Sequence, residues 1–180
     1  SARVSIWTVH ENLSVSLNHE DGEAVERITL GGWAVSYGAS VAREIAQLRA
    51  EMLPNETGGV LLGIVDTSRQ SIQIVRAMAA PMDSTGSVHA FERGVVGLVD
   101  AVNEASKRSL YQVRYVGEWH SHPVGSSTRP SATDIRQMCW LTEELQNEGL
   151  PALMGIAGDN GAFSLMLGDR AADGASEAAQ

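Results

Sequence analysis

Cysteine occurs once in the 180 residues, at Cys139, so the chain cannot close an internal disulfide and has no thiolate cluster for a metal. Any metal must be held by histidine and carboxylate. Lysine is as scarce, with Lys107 standing beside twelve arginines, which codon bias explains better than avoidance of lysine-directed modification. Positive charge is in deficit overall: 13 Lys+Arg against 22 Asp+Glu leave a formal net charge of −9. That balance argues against a nucleic-acid backbone or an anionic membrane as partner. No apolar run approaches the roughly 18 to 20 residues of a membrane span, and the N-terminus lacks the basic-then-apolar pattern of a secretory signal. A cytoplasmic protein is expected. No internal repeat and no G-x-G-x-x-G nucleotide loop occur. What the chain does have is apolar content, 43% hydrophobic against 19% charged, enough for one buried core.

The patterning divides the chain. Residues 1–37 form a β-rich extension, with strands at Val4 to Val9, Leu13 to Leu17 and Val25 to Leu30 and a polar turn at His19 to Gly22. From Ser40 the period becomes helical (Val41, Ile45, Leu48, Met52) until Pro54 stops it. Gly58 to Val65 and Ser71 to Ala80 form a hairpin, followed by a loop from Pro81 to His89. A second helix is predicted over Glu92 to Lys107, a strand over Val113 to His122, and a third helix over Ser131 to Gln146, where Cys139 is expected to be a buried apolar thiol. Two short strands, Ala152 to Ala157 and Ala162 to Leu167, flank a turn at Gly158 to Gly161. Residues 169–180 read as a disordered tail. Interleaved helices and strand pairs predict an α/β fold, a mixed sheet flanked by helices.

The chemistry concentrates near one strand end. His120 and His122 lie two apart, so an extended backbone projects both to one side, and Pro123 ends the strand. The loop to Pro130 then returns Ser131 and Asp134 at the opening of a helix. Ser131 and Asp134 also suit an N-cap and an acidic first turn, but capping requires no histidines. Two imidazoles and one carboxylate, leaving a position for water, form the ligand pattern of catalytic zinc. Glu118 shares the predicted strand face with the histidines and is assigned the role of orienting one of them by accepting its remaining N–H.

The run GEWHSHP followed by PSATD, with ETGGVLLG upstream, resembles the JAMM (MPN+, JAB) zinc metalloprotease domain over about residues 38–168. The loop Pro123 to Pro130 is one residue longer than in the commonest eukaryotic form, a variant associated with bacterial members. The resemblance implies a cytidine-deaminase-like sheet and zinc held by His120, His122 and Asp134. It further implies Glu56 as general base and Ser131 as the group that helps hold the tetrahedral intermediate. Glu56 lies between the helix ending at Pro54 and the Gly58-Gly59 strand opening, where close backbone approach is permitted. Met82, His89 and Phe91 fall where relatives carry a segment gripping the substrate, and are carried as substrate contacts.

The activity so implied is a zinc-dependent isopeptidase or peptidase cutting after the C-terminal glycine of a ubiquitin-like protein, in deconjugation or precursor processing. Bacterial relatives occur beside or fused to activating-like and conjugating-like enzymes, and a start at Ser1 without methionine is compatible with excision from such a fusion. Two other readings keep the fold: a non-catalytic MPN-type scaffold, which typically loses a histidine or the Asp, and a RadC-like protein associated with DNA repair. The complete residue set disfavours the first, while the charge of −9 and the lack of an upstream Gly-rich helix-hairpin disfavour the second. Metal analysis of the purified protein separates enzyme from scaffold: the enzyme is expected to carry zinc, and a chain that takes up none on addition would be the scaffold.

Overall fold

The computed structural model describes residues 3–12, 14–21 and 24–169. Strands β1 (Arg3–Val9) and β2 (Val15–Asp21) pair antiparallel as a separate hairpin. The predicted turn at His19 to Gly22 is therefore displaced, since β2 continues to Asp21; Leu13, Gly22 and Glu23 lie outside the described residues. β3 (Val25–Leu30) and β4 (Trp33–Gly38) follow, then helix α1 (Ala39–Met52) and the hairpin β5 (Gly58–Asp66) and β6 (Ser71–Ala79). The short β7 (Thr85–Gly86) and β8 (Phe91–Glu92) pair with each other before α2 (Leu98–Arg108), β9 (Arg114–Ser121) and α3 (Ala132–Gln146). β10 (Ala152–Ala157), a 3-10 turn at Asp159–Gly161 and β11 (Phe163–Gly168) complete the order.

Seven strands form one mixed sheet in the order β11-β10-β9-β5-β6-β4-β3. The β9/β10 and β4/β6 pairs are parallel and the others antiparallel. Residues 25–37, expected in the N-terminal extension, thus add two strands to this sheet. Val35 is fully buried and β4 pairs with Ile72 and Ile74 of β6, so the apolar face of β4 needs the sheet to cover it.

Helices cover both faces. Val41 and Ile45 of α1 join Val35, Leu61, Ile72, Ile74, Val116, Trp119 and Leu153 in one core cluster. Met138, Leu141 and Leu145 of α3 join Leu150, Ala152 and Met154 in a second. Adjacent residues Leu153 and Met154 serve opposite clusters, which is why β10 reads as an unbroken apolar run and is buried along its whole length. No helix among the described residues is long and apolar enough to cross a membrane.

Three expectations change. The helix predicted from Glu92 starts six residues later, because Glu92 pairs with Thr85 and the Asp83 carboxylate accepts from Val95 and Val96 N–H, both at 3.0 Å. Gly97 then turns the chain into α2 through a left-handed φ of 73° that only glycine adopts freely. Cys139 is exposed, not buried: it follows Met138 on α3, and one residue step turns the side chain about 100° away from the packed stripe. Asp169, placed in the disordered tail, is anchored by Trp33 Nε1, which donates to its carboxylate at 2.6 Å; residues 170–180 lie outside the described residues.

The difference in burial between β10 and α2 predicts unequal sensitivity. Leu153→Ala, at a side chain with 0% exposure, is expected to cost about 2–5 kcal/mol, while Val99→Ala, at 68% exposure on α2, should stay within about 0.5 kcal/mol. Urea denaturation of the two variants measures the difference.

Candidate active site

Extended backbone runs past the end of β9. Ser121 N–H donates to Thr57 O at 2.7 Å and His122 N–H to Ala157 O at 2.9 Å, so strand geometry holds through His122. His120 and His122 therefore project together, their ring centroids 5.3 Å apart. Opposite them α3 opens with a capping box. Ser131 Oγ accepts from Asp134 N–H at 3.2 Å, and the Asp134 carboxylate accepts from Ser131 N–H at 2.6 Å. The capping expectation is met, and the carboxylate that meets it is the one expected as a ligand.

Asp134 Oδ1 lies 3.1 Å from His120 Nε2, and Oδ2 lies 3.3 Å from His122 Nε2. One ligand atom from each of the three residues falls within 4.8 Å of the others. His122 Nδ1 sits 2.7 Å from Ser127 O, and since a carbonyl only accepts, Nδ1 carries a proton and Nε2 is the nitrogen that faces the cluster. His120 Nε2 is buried with no well-aligned hydrogen bond despite the nearness of Asp134. A buried nitrogen aimed between two other donors fits a metal ion, and the mixed nitrogen and oxygen set fits zinc. Burial pushes the Asp134 carboxyl up, but the nearby His120 ring and the bond from the Ser131 backbone N–H outweigh it and hold the group well below the usual carboxylate range. Asp134 is thus ionised, as a ligand must be.

Glu56 reaches the same cavity from the other side. It sits half-buried just before β5, its backbone N–H donating to Ser87 O at 2.8 Å. Gly86 backs directly onto its carbonyl, where a Cβ would meet the Glu56 oxygen, so glycine is needed for this approach. Burial raises the Glu56 carboxyl above its ordinary range, opposed by His120 and His122, reinforced by Asp134 and opposed again by His89. A carboxyl so adjusted beside a ligand cluster suits proton transfer.

The cavity, about 350 Å³, is lined by Glu56, His89, Phe91, Glu118, Ser131 and the ligand cluster, among others. Met82 is not brought to it: the side chain is 97% exposed and borders a neighbouring groove instead. Glu118 faces the cavity and is buried, but its partners differ from the expected histidine. The carboxylate accepts from Arg93, Tyr115 and Gln137. The cause is reach: Arg93 and Gln137 come from the two sides of the cleft and occupy both carboxylate oxygens.

Sequence reasoning missed Arg49. This buried guanidinium donates to His122 O at 3.2 Å and to Asp159 Oδ1 at 2.7 Å, while Asp159 Oδ2 accepts from Gly125 N–H at 2.7 Å. The relay pins the loop that follows the histidines, and Thr128 Oγ1 bonds Ser164 Oγ at 2.6 Å farther along. One signal existed: Arg49 continues the Val41, Ile45 stripe at helical spacing, a charge on a buried face. Arg93 and Gln137 carried no comparable signal.

The sequence model of the family described as prokaryotic homologs of the JAB domain matches residues 38–168. A protein of Enterobacter hormaechei subsp. hoffmannii (strain UCI 50), named CD-NTase/cGAS isopeptidase, is 32% identical over 157 residues, covering 85% of each chain. The solution structure of a Desulfitobacterium hafniense protein aligns at a TM-score of 0.47 and 18% identity, over 73% of this chain and 80% of that one. Matched over most of its length, and with the His-x-His-Pro and Ser-x-x-Asp residues converging on one cavity, this chain belongs to the prokaryotic JAB family.

Proposed function

We propose that the protein is a zinc-dependent isopeptidase that hydrolyses the bond after the C-terminal glycine of a ubiquitin-like protein. One observation carries the reading: three donor atoms from His120, His122 and Asp134 converge in a cavity that also holds Glu56. The name of the Enterobacter relative supports an isopeptide bond as the target and suggests a CD-NTase or cGAS-like protein as the modified partner.

His120, His122 and Asp134 would hold the ion, which when bound supplies Lewis acidity that acidifies water and polarises a carbonyl. Glu56 takes a proton from the attacking water and delivers it to the leaving amine nitrogen, the exchange a carboxylate of raised pKa performs well. Ser131 Oγ accepts the Asp134 N–H, and its own hydrogen would turn to the carbonyl oxygen as that atom gathers charge. His89 and Phe91 border the cavity where an extended tail would enter. Such a tail would bind through main-chain hydrogen bonds beside the β7–β8 pair, and the confined space favours glycine. The net charge of −9 suits a partner with a basic face, and activating-like and conjugating-like enzymes of the same system are the expected companions.

The test is incubation with ubiquitin-like proteins carrying C-terminal extensions, read by intact mass with and without a zinc chelator. Chelator-sensitive cleavage after glycine is expected, and cleavage that persists unchanged in chelator would refute the zinc requirement. Glu56→Gln should lower turnover by about 10²–10⁴-fold while zinc content stays at the wild-type level. Equal turnover in variant and wild type would remove Glu56 from the mechanism.

A further inference from the structure

Glu118 is the most heavily bonded carboxylate facing the cavity. Its side chain is 6% exposed, and Oε1 accepts from Arg93 Nε at 3.0 Å, Arg93 Nη2 at 2.7 Å and Tyr115 OH at 3.1 Å. Oε2 accepts from Gln137 Nε2 at 2.8 Å. Arg93 and Gln137 lie on different walls of the cleft: Arg93 directly follows β8, and Gln137 is on α3. A single carboxylate on the floor thereby ties the two walls together.

The register explains what each tie does. Glu118 precedes His120 by two residues on β9, and Asp134 precedes Gln137 by three on α3, so each pair shares one face of its element. Strand and helix therefore meet at two successive levels, His120 against Asp134 and Glu118 against Gln137. The second contact needs no ion. On the other wall, Arg93 Nη1 donates to Gly94 O at 2.9 Å, Gly94 N–H donates to Ser84 Oγ at 2.8 Å, and Asp83 accepts from Val95 and Val96. Arg93 thus carries the whole β7–β8 segment with it, while Glu56 N–H holds the far end at Ser87.

A buried charge is a poor choice for stability alone, since apolar residues of similar volume often do as well or better. Val116 and Trp119, close to it on β9, are apolar and buried. A carboxylate here has a directional use that a leucine lacks. We infer that Glu118 is a positioning residue for both halves of the site. Through Gln137 it holds α3 so that Asp134 meets His120, and through Arg93 it holds the β7–β8 wall at the width an extended tail requires. The α3 half concerns metal affinity and the wall half concerns substrate fit; the inference rests on the isopeptidase reading only for what the wall would grip.

The full chain serves for the test, with Arg93→Ala, Gln137→Ala and Glu118→Gln compared by zinc affinity, from competition with a chromogenic chelator, and by hydrogen exchange of amides 83–96. Gln137→Ala should weaken zinc by about 10-fold and leave the exchange rates unchanged. Arg93→Ala should leave zinc affinity unchanged and accelerate exchange over 83–96. Glu118→Gln, which keeps the shape and loses the charge, should do both. General loss of packing would move both readouts together in all three variants, and that result, or wild-type behaviour of Glu118→Gln, would overturn the inference. A wild-type chain that binds no zinc would instead refute the zinc reading, and the exchange data would still decide the wall half.

Discussion

Everything at the candidate site depends on one shared carboxylate. Asp134 closes the capping box that starts α3 and, with the same two oxygens, faces His120 and His122 at 3.1 and 3.3 Å. A helix end leaves unpaired N–H groups that a side chain must satisfy, and satisfying them fixes where that side chain points. Here it points into the gap beyond the end of β9. The contact that caps the helix also sets the carboxylate against the two histidines, which is why a short Ser-x-x-Asp run does so much.

The sheet supplies the other half of that gap. β9 lies between β5 and β10, antiparallel to one and parallel to the other, and both neighbours extend the pairing to its last residues. Thr57 and Ala157 accept from Ser121 and His122 N–H, so the histidines stand on backbone bonded from both sides. Arg49 and Asp159 then hold the following loop, and Ser127 O accepts from His122 Nδ1. The glutamate arrives from β5's own opening, with Gly86 pressed against its backbone. Strands and a capped helix thus frame the candidate site, and the more local contacts adjust direction within that frame.

Short-range patterns in the chain were good guides where one element acts alone. The α1 stripe, the β5–β6 hairpin, α3 from its Ser131 cap and the i, i+2 projection of the histidines all follow from period and capping chemistry. Expectations failed where a distant residue outbid the local pattern. The valine-rich stretch after Glu92 has helical spacing, but Asp83, twelve residues back, takes two of its N–H groups and delays the helix. Cys139 looked apolar between Met138 and Trp140, yet the packed face of α3 is set by what β10 and β11 leave open. Glu118 alternates correctly with the histidines, and still its partners are Arg93, Tyr115 and Gln137.

The amino-acid sequence by itself carried the family resemblance and the pairings of His120 with His122 and of Ser131 with Asp134, because these rest on fixed spacings within one strand and one helix end; the resemblance alone pointed to Glu56 as their neighbour. Only the tertiary structure decided that residues 25–37 complete the main sheet, that Met82 lies outside the cavity, and that Glu118 ties two walls of the cleft. The physical reason is range. Periodicity and capping act over three or four residues, whereas a buried carboxylate takes whichever donors the packed chain brings within about 3 Å, and two of its three donor residues lie 19 and 25 positions away.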